Sequence, residues 1–515
     1  MQNALKAEIK ILCLRAFKKI EQSQKTEEDY KNRFLKRTGV AAATGSTRSH
    51  LPVTKHFDPK YCSRHANFLA KTIWFKVLSK TYEPAPAVKY DIPKPGGGSR
   101  EIMAFSIPDA ALANVVLRRT RDRNLKRLSP SSFAYHPEKN VFDAILALKD
   151  YDHDGKLFAV QIDFERYFDS IPSWYLKKKI DDERQVSLTP SEKHVFERFL
   201  HHRYAKHSDY SRGVFKRRAN GTPQGSSVSL LLANLANHDL DSKLSAAAGK
   251  FVRYADDVVA LCTTYEDAQY LESCFRQHCR ISGLVLNSKK SLGIAIISPK
   301  NQELRTYPHF DYLGYRFDGD GLTLPEKTKT KIKQKISRLI NLYLIHYLTV
   351  GFNKDRVGYS PGPYDWDLLG LIFEMKRGLY GGLSEENLEA FVTNGRKLPK
   401  MRGLMGFYCL LDDPKPLKEI DGWILSTIRR TMVERNRILQ SKYGASCPTP
   451  SNRDLAIGSW LSPLAWQGGA PPNARVPSLV RGWRAARKHY FTFGLERVQP
   501  PSYGAYGGWD SIFEY

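Results

Sequence analysis

Acidic residues are in short supply: 53 Asp and Glu stand against 80 Lys and Arg, which leaves a formal charge of +27 on 515 residues. Cysteine is sparse as well. The seven cysteines, at positions 13, 62, 262, 274, 279, 409 and 447, form no CxxC pair, and an odd count in so long a chain argues against a disulfide framework or a zinc site and for a reducing, cytoplasmic setting. Long hydrophobic runs are missing. Stretches such as Leu230-Leu231-Leu232-Ala233 stop far short of the ~18 apolar residues a membrane span requires, so no membrane partner is expected. The opening MQNALKAEIKILCLRAFKKIEQ has charges inside its apolar run and no small-residue cleavage site, unlike a secretory signal. No internal repeat is found, and the expectation is a soluble protein.

What is present points to a folded protein with a polyanionic partner. Hydrophobic residues make up 42% of the chain, enough to give cores to the roughly three or four compact units that the length suggests. The basic excess, combined with 12% aromatic residues, suits nucleic acid, because phosphates need Lys and Arg and bases stack on rings.

Leu5, Ile9, Leu12, Ala16 and Ile20 recur at helical spacing, with lysines on the other faces. Residues 38–54 lack periodicity and read as a linker, and helical patterning resumes from Tyr61 to Tyr82. Two extended runs flank Pro93-Lys94-Pro95-Gly96-Gly97-Gly98, a turn-rich connection. Strands are predicted at Leu157–Ile162, Phe251–Val252 with Val258–Cys262, and Gly293–Ile297, with an apolar helix over 228–240. From Pro325 to Tyr347 a basic amphipathic helix follows, and further helices are predicted at 366–380, 384–394 and 416–440. The closing PSYGAYGGWDSIFEY reads as an irregular Gly and aromatic tail.

The sharpest chemical signal is Phe251-Val252-Arg253-Tyr254-Ala255-Asp256-Asp257-Val258-Val259-Ala260-Leu261, two acids between apolar, β-branched runs. That is the pattern of a hairpin tip. Adjacent carboxylates there repel one another unless a cation neutralises them, so the position reads either as a divalent metal site or as a solvated turn. A second acid site, the strand Leu157–Ile162 ending on Asp163 and followed by Phe168-Asp169, favours the metal. Two ions held ~3.5–4 Å apart suit in-line phosphoryl transfer. Between the two lies Ala219-Asn220-Gly221-Thr222-Pro223-Gln224-Gly225-Ser226-Ser227, a loop whose glycines let backbone approach a nucleotide.

In order and spacing these blocks resemble the reverse transcriptase family, and within it the bacterial, group II intron-like branch. IPKPGGGSREI (92–102), SSFAYHPEKNVFDAI (131–145), VQIDFERYFDSI, NGTPQGSSVSLLLANL, FVRYADDVVAL, SGLVLNSKKS (282–291) and FDYLGYRF (310–317) are similar to the family's motifs from the fingers to the primer grip. The resemblance implies an α+β right-hand polymerase with fingers, palm and thumb, an antiparallel palm sheet, a helical thumb and helical N- and C-terminal extensions. It implies boundaries at 1–60 for the N-terminal extension and linker, 61–320 for fingers and palm, 321–440 for a thumb and RNA-binding region, and 441–515 for the C-terminal extension.

Carried over letter by letter, the resemblance makes Asp163 and Asp256 metal ligands, with Asp257 as a third acid, for two Mg²⁺ ions or Mn²⁺ in their place. Phe168 stands where the family sets an aromatic ring against the ribose C2′, which implies deoxynucleotides as substrates; a core phenylalanine is the plain alternative. Lys94 and Arg100 match the ligands of the β- and γ-phosphates, and Gln224 and Gly225 the loop that touches nucleotide and template. Lys290, or its neighbour Lys289, is similar to the lysine that protonates departing pyrophosphate. Lys327, Lys331 and Lys335 fall in the place of the thumb helix that follows duplex. Arg429, Arg430, Arg435 and Arg437 lie in a stretch that faintly resembles a maturase region, implying contact with a structured RNA.

No RNase H, zinc endonuclease or integrase block accompanies these motifs, so the chain is most similar to the defence-associated group, which acts with a noncoding RNA against phage. The implied partners are that RNA as template or scaffold, dNTPs and the DNA product, and a homo-oligomer is compatible with them. A group II intron maturase and a non-catalytic RNA-binding scaffold are the competing readings. A Gly-spaced tail carrying Tyr503, Tyr506 and Tyr515 further suggests a protein hydroxyl as primer.

Overall fold

The computed structural model describes residues 1–42, 52–93, 98–151, 156–247, 249–287, 291, 293–298, 306–319, 321–354, 365–398, 400–461 and 471–498. The expectations for Lys94, Lys289, Lys290, Tyr503, Tyr506 and Tyr515, and for most of the 38–54 linker, lie outside them. The chain divides into two compact units: Met1–Lys25 with Ser46–Tyr307, and Thr26–Gly45 with Pro308–Tyr515.

The first unit is built on a five-stranded sheet. Its strands are β3 (Leu157–Ile162), β6 (Lys250–Tyr254), β7 (Asp257–Cys262), β8 (Gly293–Ile297) and β9 (Thr306–Tyr307), in the order β6-β7-β3-β8-β9. Pairing is antiparallel except between β8 and β9. Almost every residue of β3 and β7 is buried, and for that reason both read in the sequence as unbroken apolar runs rather than alternating ones. Phe158, Val160 and Ile162 of β3, with Val258, Ala260 and Cys262 of β7, enter one core together with Leu271, Cys274 and Phe275 of the helix Tyr265–Ser282. Each large apolar side chain so buried contributes about 1.5–3 kcal/mol. That helix begins on Thr264, whose side chain accepts from the Asp267 amide, and ends on the left-handed Gly283, so both ends are closed by their own sequence.

A second sheet in this unit has the order β2-β1-β4-β5, from β1 (Ala87–Pro93), β2 (Ser99–Ala104), β4 (Arg203–Lys206) and β5 (Lys216–Arg217). The β1–β2 hairpin runs from Val88↔Ala104 to Pro93↔Ser99, as the turn signals predict. Two helical expectations are corrected. The segment 61–82 is two helices, Pro59–Arg64 and Ala66–Leu78, broken at His65; the second ends where Lys80 takes a left-handed φ of 57°. The apolar helix over 228–240 stops at Ala236 and restarts at His238, with Asn237 between.

The second unit carries the sheet β10-β11-β12, from His309–Tyr312, Tyr315–Asp318 and Gly321–Thr323. Five of its helices are Glu326–Leu344, Trp366–Tyr380, Glu385–Asn394, Lys415–Tyr443 and Leu479–Phe493. The long helix 415–443 buries Leu417, Ile420, Ile424, Ile428, Met432 and Leu439 along one stripe. Arg435 lies on the same stripe. Its side chain is 0% exposed and pairs with Asp365 at 3.4 Å and Asp367 at 3.1 Å, which removes it from the residues available to RNA. Its neighbours Arg429, Arg430 and Arg437 are exposed. Among the described residues no helix is long and apolar enough to cross a membrane.

Candidate active site

The sheet register brings the two acid sites together. Ile162, the last residue of β3, is the partner of Val258, so Asp163 and Asp257 each stand one residue beyond that pair. Tyr254 pairs with Asp257 across a tight β6–β7 turn made of Ala255 and Asp256. Ala255 takes a φ of 61°, which a non-glycine residue adopts only when its surroundings hold it there.

The fully buried Arg253 supplies that hold. Its guanidinium grips both oxygens of Asp241, at 2.7 and 2.6 Å, and its third nitrogen donates to the Ala255 carbonyl at 3.0 Å and to Asn234 Oδ1 at 3.1 Å. The backbone of Arg253 is also tied, its amide to the Ser131 carbonyl and its carbonyl to the Phe133 amide, each at 2.9 Å. A buried, bidentate ion pair of this kind is strongly directional, and here it is aimed at the turn carrying Asp256.

Asp163 is held from the other side. Asn287 donates through Nδ2 to Asp163 Oδ2 at 3.0 Å and through its amide to the Asp163 carbonyl at 2.8 Å, while Ser291 Oγ accepts from the Asp163 amide at 3.2 Å. The candidate donors are therefore carboxylates on neighbouring strands. Among the described residues no group of three or more His, Cys, Asp or Glu side chains is gathered as a metal cage. Oxygen donors from one or two carboxylates, completed by substrate phosphates and water, are what Mg²⁺ takes, so the residues present fit that ion.

Around the acids, Phe168 is half-buried at the edge of the core, 5.6 Å from the Tyr167 ring and 6.5 Å from that of Tyr135, both edge-on. Burial pushes the Tyr135 phenol well above its ordinary value; the nearby Asp256 and Tyr254 add to this, and Arg253 and Arg100 oppose it. Arg100, Tyr135, Phe168 and Asp256 thus share one neighbourhood. Arg100 is exposed and makes no ion pair among the described residues.

The loop 218–225 closes this side. The Thr222 amide donates to the Phe168 carbonyl at 2.6 Å and the Gly221 amide to the Ile171 carbonyl at 2.8 Å. Gly225 has a φ of 116°, and a Cβ on it would meet the Met103 carbonyl oxygen at 2.3 Å, so no other residue fits. The Met103 amide in turn donates to the Gln224 carbonyl at 2.7 Å. Gln224 and Gly225 are thereby seated between the Phe168 segment and strand β2.

Sequence reasoning missed Arg253, Asp241, Asn287, Tyr135 and Arg218. A basic residue inside an apolar strand flags Arg253, since only a paired charge is tolerated there. The others become visible only through contacts between segments far apart in the chain.

Residues 92–317 match the family model described as reverse transcriptase (RNA-dependent DNA polymerase). Protein YkfC of Escherichia coli (strain K12) is 27% identical over 177 residues, 33% of this chain and 43% of that protein, so the chain spans less than half the length of this curated relative. Among solved structures, an apo telomerase from Candida tropicalis, truncated from its C-terminal domain, shares 17% identity over 51% of this chain and 60% of its own, with a TM-score of 0.34. A telomerase from Candida albicans in complex with a fragment of telomeric RNA shares 12% identity over 75% and 67%, with a TM-score of 0.37. At those scores the two structures carry no argument, and the conclusion rests on the family match and on the motifs that the sheet assembles. Over residues 92–317, then, the chain matches a reverse transcriptase domain.

Proposed function

We propose that the protein is an RNA-directed DNA polymerase that joins deoxynucleotides on a structured noncoding RNA template and acts in antiviral defence in the cytoplasm. One observation carries the polymerase reading: the β3–β7 register sets Asp163 beside the acidic turn inside a segment that matches the reverse transcriptase family. A Mg²⁺ pair, when bound, lowers the pKa of the primer hydroxyl and offsets charge on the leaving pyrophosphate.

The chain's own residues then take these parts. Asp163 and Asp256 hold the ions, assisted by Asp257. Arg100, with Lys94, meets the β- and γ-phosphates as a bidentate fork and a point charge. Phe168 fills the space a 2′-hydroxyl would need, Gln224 and Gly225 bound the nucleotide, and Lys290 returns a proton to pyrophosphate. Fingers and palm (61–320) are followed by a thumb (321–440), where Lys327, Lys331, Lys335, Arg429 and Arg430 follow backbone phosphates.

The defence role rests on the likeness of a bacterial-type reverse transcriptase with long N- and C-terminal extensions to the defence-associated group. A priming hydroxyl from Tyr503, Tyr506 or Tyr515 would be seen by mass spectrometry as a nucleotide adduct on the tail; initiation that survives Tyr→Phe at all three positions rules it out. The whole reading is tested by sequencing the nucleic acids that co-purify with the parent and with an Asp256→Asn, Asp257→Asn variant. Complementary DNA to a discrete RNA in the parent alone supports it, and identical nucleic acid in both contradicts it.

A further inference from the structure

We propose that Asp169 and Arg218 form a positioning pair that orients Gln224 and fixes the nucleotide loop 218–225 against the segment bearing Phe168. The proposal rests on the polymerase reading and extends it, naming residues that set how tightly and how selectively an incoming nucleotide is held.

The two ends of the loop grip opposite oxygens of one carboxylate. Arg218 Nη2 donates to Asp169 Oδ1 at 3.0 Å, and Gln224 Nε2 donates to Asp169 Oδ2 at 3.2 Å. Arg218 is itself immobilised: its Nε donates to the Asn220 carbonyl at 2.9 Å and its amide to the His202 carbonyl at 3.0 Å. Its side chain is 8% exposed and that of Asp169 22%, so water screens this pair less than it would a surface pair.

The chemistry of the groups then fixes a direction. An ionised carboxylate only accepts, so it takes an N–H of Gln224 and leaves that side chain's Oε1 and second N–H for the substrate. A neutral partner at position 169 removes this bias and lets the amide turn over.

The surroundings make the orientation matter. Asp169 directly follows Phe168, whose carbonyl is already bound by Thr222. A Cβ on Gly221 would lie 2.6 Å from the carbonyl oxygens of both Phe168 and Asp169. Loop and gate segment therefore touch without slack, and a shift in one is felt by the other.

The test compares the parent with Asp169→Ala, Asp169→Asn, Gln224→Ala and the Asp169→Ala, Gln224→Ala double variant on one primer–template. Expected are a dNTP KM raised about tenfold in Asp169→Ala, the size of a missing charge-assisted hydrogen bond, with kcat within about threefold. Discrimination against ribonucleotides should fall, primer–template affinity should be unchanged, and Asp169→Asn should lie between Asp169→Ala and the parent. On the Gln224→Ala background the Asp169→Ala effect should vanish, because the carboxylate then has nothing to orient.

Additive effects, an unchanged KM, or a joint fall of kcat, template affinity and melting temperature would overturn the pair. Should Asp169→Ala fail to fold, the Asn variant decides: a raised KM in folded protein supports the pair and an unchanged one overturns it. A parent that incorporates no dNTP contradicts the polymerase reading itself, whereas the other adverse outcomes contradict only the pair.

Discussion

Arg253 and Asp241 are each about 1% exposed, and between them they decide whether the acidic turn keeps its shape. Arg253→Met leaves the Asp241 carboxylate buried without its counter-charge, which should cost about 3–5 kcal/mol in urea unfolding. Pairing it with Asp241→Leu removes the orphaned charge and should recover most of that stability; a double variant as unstable as the single would show that the ion pair is not the source. Phe168 offers a test of a different kind. Its ring is half-buried and touches Tyr167 and Tyr135 only edge-on, so Phe168→Ala should leave the fold intact and admit ribonucleotides. If the variant discriminates as sharply as the parent, another residue is the gate.

Among the elements, the lysine-rich helix Glu326–Leu344 buries Thr328, Ile332, Ile336, Ile340, Tyr343 and Leu344 and leaves Lys327 exposed. Lys331 and Lys335 are half-buried, and burial, with Arg338 nearby, holds the Lys335 ammonium below its ordinary pKa. Replacing Lys327, Lys331 and Lys335 by Gln should weaken primer–template binding and flatten the slope of log K against log salt. Each phosphate that is no longer neutralised takes about 0.9 off the magnitude of that slope. An unchanged slope would mean that these lysines neutralise no phosphate.

Elements of this kind are legible in the sequence wherever local pattern dominates. The strands 157–162 and 258–262 and the helix 366–380 lie where their apolar runs and periodicity put them. Short, charged strands such as Arg203–Lys206 and Lys216–Arg217 carry no such pattern, because their place is set by pairing with β1 and with each other. Arg435 is misread for a related reason. On a helix surface a structural arginine and a phosphate ligand look alike, and only the buried Asp365 and Asp367, from a distant segment, tell them apart.

Taken as a whole, the molecule combines a large basic excess with buried histidines that cannot charge without cost. Burial holds His202 and His278 down to about 4. An unfolded histidine titrates near ~6.5, so both rings bind a proton more readily once the chain opens. Their contribution is fully present above about pH 6.5 and drains away as pH falls toward 4, by about 3 kcal/mol for each ring. Urea unfolding at pH 7.5 and at pH 5 should show this fall, and His278→Asn should shrink it; a flat profile would mean that the rings are solvated.

On the proposed function, β3 and β7 hold Asp163 beside the acidic turn for nucleotidyl transfer. Single-nucleotide extension of a primer on an RNA template, measured with and without Mg²⁺, tests it most directly. Incorporation of dNTP by the parent that needs the metal and falls by at least about a thousandfold in Asp163→Ala and in Asp256→Ala, both still folded, is the predicted result. Undiminished extension by either variant would contradict the account.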